Sequence, residues 1–338
     1  MSQTSRSAAV AVLGAGSWGT ALALLIARNG YAVKLWDIST GHLDSIRRHG
    51  ENKRYLPGVA LPQNLEAVDD LESLLSCTGR ILVVVPSHAF RATLDSLARF
   101  CTKDKQLLIS WGTKGFDPEH GVLLSEVAAE VFPSARLAVI SGPSFATEVA
   151  HDLPTALTVA SPDEDTANTV AAWLRSDRVR VYTNNDLAGV QLGGAIKNVM
   201  ALAAGISDGL GFGANARAAL ITRGLAEMNR LGKALGGDPH TFMGLTGVGD
   251  LVLTCTDNQS RNRRAGIGLG QGRSLSGIME EIGQEVEGIK TVRELYAMAT
   301  RVGVDMPITT EVYRVIYEGL AAGEAVVSLL SREPRAER

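Results

Sequence analysis

The segment Val10-Ala-Val-Leu-Gly14-Ala-Gly16-Ser17-Trp18-Gly19 confines the first half of this chain to a small set of folds. A short apolar run leads directly into G-x-G-x-x-G at the start of a helical stretch. In that setting Gly14 permits the tight turn, Gly16 lets the main chain approach a pyrophosphate, and Gly19 allows helix to pack closely on strand. Unpaired amides and the helix dipole both favour an anion at such a helix start. Asn29-Gly30 stops the helix, a second apolar run follows, and Asp37 ends it, 18 residues after Gly19. A carboxylate there accepts hydrogen bonds from ribose hydroxyls and repels an additional 2′-phosphate. The pattern predicts a dinucleotide cofactor, NAD or NADP, with NAD favoured by Asp37.

From Ala8 onwards, apolar runs alternate with amphipathic stretches: Ala8 to Leu13, Val33 to Trp36, Arg80 to Val85, Gln106 to Ser110, Arg136 to Ser141, Ala156 to Ala160 and Arg178 to Tyr182. Runs rich in Val, Ile and Leu and bounded by Gly, Pro or Ser suit strands buried on both faces of a mainly parallel sheet. After about Asn185 the texture changes to Ala-, Leu- and Gly-rich stretches with helical spacing, such as Leu187 to Ser207 and Ala216 to Leu235. Asp186, in the polar cluster Thr183 to Asp186, is placed to cap the helix that follows. The expected class is α/β: a doubly wound, mainly parallel Rossmann-type sheet followed by an all-helical domain. The expected division is a dinucleotide-binding domain over residues 1–185, a helical substrate and catalytic domain over 186–330, and a frayed tail over 331–338.

Two lysines stand in unusual surroundings. Lys114, in Trp111-Gly-Thr-Lys114-Gly, follows a strand at the edge of the sheet where ligands bind in this fold class. Lys197 lies in Gly193-Gly-Ala-Ile-Lys197-Asn-Val-Met-Ala-Leu-Ala-Ala, a helical stretch of small and apolar residues. Burial disfavours an ammonium and turns a lysine into a usable general base near neutral pH. Asp250 and Thr254 are four apart on one helix face; Asp250 is the expected ion-pair partner of Lys197, and Thr254 a hydrogen-bonding group for substrate or base. The run Ser260-Arg261-Asn262-Arg263-Arg264 gathers hydroxyl, amide and guanidinium donors suited to phosphate, with one or two of its arginines expected to reach the ligand. Gly142-Pro-Ser144 follows another strand and faces the same crevice, so Gly142 and Ser144 are candidate substrate contacts.

Composition narrows the function classes. With 33 basic and 36 acidic side chains the formal charge is −3, which argues against nucleic acid as a main partner. No unbroken apolar run approaches the ~20 residues of a membrane span, and Met1 to Ser7 is unlike a signal peptide. Cys77, Cys101 and Cys255 are far apart and form no C-x-x-C pair, so a reducing, cytoplasmic setting is expected and no metal site is proposed. Glycine, at 36 of 338 residues, is in excess without any collagen-like period, so these residues serve local geometry.

Taken together, GAGSWGTALA, VVVPSHAF, WGTKG, SGPSFA, GVQLGGAIKNVMA, SDGLGFGANARAALITRGLAEM, GDLVLTCTDNQSRNRR and GQEVEG closely resemble the bacterial NAD(P)-dependent glycerol-3-phosphate dehydrogenases, from about Val10 to Leu330. The resemblance implies that Lys197 is the proton acceptor. It implies that Lys114, Gly142, Ser144, Asp250, Ser260, Arg261 and Asn262 contact glycerol 3-phosphate, a small three-carbon substrate. Ser17, Trp18, Lys114, Ala146, Arg261 and Glu287 match cofactor-contacting positions. A cytoplasmic location and a role in supplying glycerol 3-phosphate for phospholipid synthesis are implied as well, and a homodimer is expected by analogy with other helical dehydrogenase domains. Two positions depart from the family pattern: Asp37 stands where relatives often have a neutral or basic residue, and Glu285 where an apolar residue is commoner. The competing expectations are a related two-domain hydroxy-acid dehydrogenase and a non-catalytic nicotinamide-nucleotide sensor; the latter would have no need of Lys197 with Asp250.

Overall fold

Strands whose side chains are buried on both faces need apolar residues at every position, and this is what the centre of the sheet shows. All four residues of β1 (Val10–Leu13) and of β5 (Leu108–Trp111) are buried. The computed structural model describes residues 9–101 and 106–333, so the polar start Met1 to Ser7 and residues 334–338 of the expected tail lie outside the described residues. Besides β1 and β5, the sheet contains β2 (Val33–Trp36), β3 (Leu65–Val68), β4 (Arg80–Val83), β6 (Arg136–Ser141), β7 (Thr155–Ala160) and β8 (Val179–Asn184). Their spatial order is β3-β2-β1-β4-β5-β6-β7-β8, parallel from β3 to β6. β7 runs antiparallel to β6, and β8 parallel to β7. The six parallel strands reproduce the doubly wound dinucleotide-binding order.

β3 has no counterpart among the apolar runs of the sequence. It is a four-residue edge strand in which Leu65 and Ala67 are buried and Glu66 is exposed, pairing with Lys34 of β2. Half-exposed edge strands carry too little apolar signal to stand out.

The helices that accompany the sheet are α1 (Ser17–Arg28), α2 (Thr40–His49), α3 (Leu71–Cys77), α4 (Ser87–Ala98), α5 (Leu124–Val131), α6 (Ala146–Ala150) and α7 (Glu164–Leu174). Then come α8 (Leu187–Gly209), α9 (Ala214–Ala234), α10 (Pro239–Phe242), a π-helical turn (Leu245–Gly249), α11 (Asp250–Thr256), α12 (Arg261–Gly270), α13 (Leu275–Ile282), α14 (Glu287–Arg301), α15 (Pro307–Tyr317) and α16 (Ala322–Leu330). Asp186 caps α8 as expected, its Oδ1 accepting from Gly189 N at 2.7 Å. By length and composition α8 is apolar enough to cross a membrane, but 89% of its most apolar stretch is buried inside the protein. Ser331 to Glu333, after α16, are exposed, and Arg332 pairs with Asp305 at 2.6 Å.

The chain forms two compact units. One comprises the residues up to Asp117 together with Val122–Gln191, the other Pro118–Gly121 and Leu192 onwards. Gln191, one turn inside α8, belongs to the sheet unit and is tied to α5: Ser125 N donates to its Oε1 at 3.0 Å, and its Nε2 to Ser125 Oγ at 2.9 Å.

In the helical unit α8 and α12 touch backbone to backbone. A Cβ on Gly205, Gly209, Gly266 or Gly270 would lie 2.1–2.3 Å from a carbonyl oxygen of the facing helix. Glu227 of α9 performs a second tie. Its carboxylate is 1% exposed and accepts from Ile308 N at 2.5 Å and from Thr309 N and Oγ1 at 3.2 and 3.0 Å, satisfying orphan amides at the start of α15.

Burial pushes the Glu227 carboxyl up from 4.5 to about 7. An acid with a raised folded-state value contributes stability below its unfolded value and loses it as pH rises from 4.5 towards 7, by about 3 kcal/mol in all. Thermal melts at pH 5, 6.5 and 8 are therefore expected to show a fall in wild-type stability that flattens in Glu227→Gln, whose amide stays neutral. Parallel profiles for the two proteins would refute this.

Candidate active site

In the sheet unit the chain turns at the C-terminal ends of the parallel strands carry the expected nucleotide and ligand residues. Gly14, directly after β1, has φ +109°, and a Cβ there would lie 2.5 Å from the Val84 carbonyl oxygen, so only glycine fits without strain. Gly16 caps α1 with no side-chain bond to the first-turn amides, and a Cβ on it would meet nothing within 4 Å. Open space above uncapped helix amides is what a pyrophosphate requires. Gly19 packs against the Gly14 carbonyl, which a Cβ would approach to 1.9 Å.

The turn is braced by residues from elsewhere in the chain. Asn52 Nδ2 donates to Ala15 O and Thr20 Oγ1, both at 2.8 Å, and His42 Nε2 lies 3.1 Å from Ala15 O. Asp37 accepts from Ala15 N at 2.8 Å and from Ser39 N at 3.0 Å, so its carboxylate is fixed against the glycine turn. Ser17 and Trp18 form the first turn of α1; Trp18 lies against Gly112, and its buried Nε1 finds no acceptor among the described residues. Lys114 is half-buried past β5. Gly142 turns the chain after β6 with φ +122°, Ser144 Oγ donates back to Gly142 O at 3.1 Å, and Ala146 opens α6.

The helical unit brings the expected proton-handling group together. Lys197 Nζ donates to Asp250 Oδ1 and, at 3.1 Å, to Thr254 Oγ1; Thr254 Oγ1 lies 3.2 Å from the same Asp250 oxygen. Lys197 is 7% exposed and Asp250 fully buried. Two features set this geometry. Asp250 and Thr254 share a face of α11, and the π-helical turn before α11 packs on α8, where a Cβ on Gly193 would meet Thr246 O at 2.6 Å. Gly193 and Lys197 are one turn apart on α8, as Thr246 and Asp250 are across the junction, so the close glycine contact sets the spacing at which the lysine reaches its carboxylate. Cys255, next in α11, is no rival nucleophile, since burial pushes its thiol up to about 12.

The Ser260–Arg264 run divides by role. Ser260 caps α12, accepting from Arg263 N at 3.2 Å. Asn262 bridges three helices: its Nδ2 donates to Asn198 Oδ1 of α8 at 3.0 Å, and its Oδ1 accepts from Gly288 N of α14 at 2.9 Å. That bridge sets Glu287, the first residue of α14, beside α12. Half-buried Arg261 reaches Gln284 Oε1 at 3.4 Å. Arg263 is turned inward and paired with Asp208, and Arg264 is exposed. Glu285, the position outside the family pattern, pairs with Lys290 at 3.0 Å.

Sequence reasoning missed Asn52, Asn198, Asp208, Asn258 and Gln284. Asn198, adjacent to Lys197, is the most informative of these: it is 4% exposed and its Nδ2 has no acceptor among the described residues. The signal available in the sequence is a polar residue in an otherwise apolar helical stretch.

A nucleotide-type sheet with an uncapped glycine turn, followed by a helical unit holding a buried lysine–carboxylate pair, is the architecture of a two-domain dehydrogenase. Residues 9–167 match the family described as NAD-dependent glycerol-3-phosphate dehydrogenase N-terminus, and residues 186–327 its C-terminus. The chain belongs to the NAD-dependent glycerol-3-phosphate dehydrogenase family. It is 55% identical over 330 residues to the glycerol-3-phosphate dehydrogenase [NAD(P)+] of Methylococcus capsulatus, covering 97% of this chain and 98% of that one. The crystal structure of glycerol-3-phosphate dehydrogenase from Coxiella burnetii is 47% identical with a TM-score of 0.94, over 96% of this chain and 99% of that one. The Saccharomyces cerevisiae glycerol-3-phosphate dehydrogenase structure is 26% identical with a TM-score of 0.82, over 96% and 100%.

Proposed function

We propose that this chain interconverts dihydroxyacetone phosphate and sn-glycerol 3-phosphate with NAD or NADP, in the cytoplasm and as a homodimer, supplying glycerol 3-phosphate for phospholipid synthesis. The observation that carries the reading is the buried Lys197–Asp250–Thr254 group, within a chain that has an uncapped glycine turn for a dinucleotide. The nicotinamide, when bound, supplies or accepts the hydride. Gly14, Gly16, Ser17, Trp18, Gly19, Asp37, Ala146 and Glu287 hold the cofactor, with Lys114 and Arg261 contributing to both ligands.

Lys197 handles the proton. In oxidation its neutral amine takes the C2 hydroxyl proton; in reduction its ammonium returns one to the developing alkoxide while Lys114 polarises the carbonyl. Asp250 supports the charged form and Thr254 orients the amine. Gly142, Ser144, Ser260, Arg261 and Asn262 position the substrate, with the phosphate on the Ser260–Asn262 side. The unpartnered Asn198 Nδ2 supports a ligand oxygen nearby, because a buried donor left unmade costs roughly 1–3 kcal/mol.

Absorbance at 340 nm with dihydroxyacetone phosphate tests this reading directly. Turnover is expected with the phosphorylated ketone and not with dihydroxyacetone; equal rates would favour an unphosphorylated substrate, and no oxidation of cofactor a sensor. Arg261→Ala is expected to raise KM for dihydroxyacetone phosphate roughly tenfold to a hundredfold, the loss of one charge-assisted contact; an unchanged KM would remove Arg261 from the phosphate site. Because Asp37 is fixed beside the turn, kcat/KM is expected to be higher for NADH than for NADPH, with the ratio narrowing in Asp37→Asn. A preference for NADPH would reverse the role given to Asp37.

A further inference from the structure

Arg263 belongs to the arginine run that the sequence marks for phosphate, yet every nitrogen of its guanidinium is engaged inside the protein. It is 7% exposed. Nε donates to Cys255 O at 3.1 Å, one terminal nitrogen to Asn258 Oδ1, and the other to the Asp208 carboxylate. Cys255 lies in the last turn of α11, and Asn258 in the connection between α11 and α12. Asp208 stands near the end of α8, between Gly205 and Gly209, where the backbones of α8 and α12 meet; it also pairs with Arg217 at 2.7 Å.

The fork therefore spans the connection whose two ends carry different chemistry. Thr254 precedes it, next to Lys197; Ser260, Arg261 and Asn262 follow it. Within the connection Asp257 Oδ1 accepts from Gln259 N at 2.7 Å and Asp257 O from Ser260 N at 3.2 Å, so the turn is short and closed. A planar guanidinium can bind three acceptors in fixed directions, and an ammonium cannot.

We propose that Arg263 is a positioning residue for the substrate phosphate. Anchored on Asp208, it holds the Cys255–Ser260 turn so that Ser260, Arg261 and Asn262 stand at a set distance from the Lys197 amine. It contacts no ligand itself. The inference rests on the reading of Ser260–Asn262 as the phosphate grip.

The test uses the full-length protein and its Arg263→Lys and Asn258→Ala variants. It measures kcat, KM for dihydroxyacetone phosphate, KM for NADH, the competitive Ki of inorganic phosphate against dihydroxyacetone phosphate, and the melting temperature. Arg263→Lys is expected to raise KM for the phosphorylated ketone and Ki for phosphate together, roughly tenfold, the equivalent of about 1.4 kcal/mol. KM for NADH is expected to rise by a smaller factor than KM for the phosphorylated ketone, because only Arg261 of the three positioned residues also contacts the cofactor, and kcat to change less than about threefold. Asn258→Ala, which removes one arm of the fork, should move the same two constants by a smaller factor at an unchanged melting temperature. An unaltered phosphate Ki in a folded Arg263→Lys overturns the inference, as does a fall in melting temperature with all kinetic constants at wild-type values. If Arg263→Lys does not fold, Asn258→Ala decides alone, and a wild-type phosphate Ki there refutes the proposal. A wild-type protein that turns over the substrate but is not inhibited by phosphate would instead refute the underlying phosphate site, and the role of Arg263 with it.

Discussion

Replacing Lys197 by Ala is expected to lower kcat by at least about a thousandfold while KM for the nicotinamide cofactor stays near wild type. Removing a positioned acid–base group costs typically 10²–10⁴-fold, and Lys197 is also the counter-ion of a fully buried carboxylate. That second role complicates a single substitution. An uncompensated Asp250 would destabilise the helical unit by about 3–5 kcal/mol, as breaking a buried pair generally does. Lys197→Met with Asp250→Asn removes both charges; this double variant should recover most of the lost melting temperature and none of the lost turnover. Recovery of both together would mean that the pair is structural. Near-wild-type kcat in Lys197→Ala would remove the lysine from the reaction altogether.

The second large effect is expected at a residue with no side chain. Gly193→Ala places a methyl group 2.6 Å from the Thr246 carbonyl oxygen, so α8 and the π-helical turn must separate. Alanine is the better helix former by about 1 kcal/mol, which leaves the contact, rather than local helix stability, as the cause of any loss. One turn further along, the same separation draws Asp250 and Thr254 away from Lys197. A displacement approaching 1 Å costs about a hundredfold in kcat. Steady-state kinetics should show that loss with cofactor KM unchanged, and circular dichroism should show the helical content preserved. A Gly193→Ala protein within about threefold of wild-type kcat would show that the spacing is not set here.

The glycine turn of the sheet unit and the candidate residues of the helical unit were legible to different degrees. Gly14, Gly16, Gly19 and Asp37 belong to one local strand–turn–helix–strand unit, and its geometry repeats wherever the fold binds a dinucleotide, so spacing alone points to them. Lys197 was visible because a charge among small apolar residues has no cheap place on a packed helix. Its partnership with Asp250, 53 residues away, followed from chemistry, since a buried ammonium needs a counter-ion. The arginine run was harder. Arg261, Arg263 and Arg264 are equivalent by composition, and only packing separates them: Arg263 turns inward to Asp208, Arg264 faces solvent, and Arg261 is half-buried beside Gln284.

The periodicity of apolar residues and the local chemistry of turns and caps were sufficient to establish the parallel sheet, the helical second half, the cap at Asp186 and the glycine turn. These are properties of neighbouring residues, and the backbone expresses them within a few positions. The edge strand β3, the Asn52 and His42 braces on Ala15, the Asn198–Asn262–Gly288 bridge and the Arg263 fork depend on which distant segments meet. They were decided by the tertiary structure, because a polar group acquires its role only when burial removes water and leaves one specific partner within hydrogen-bonding distance.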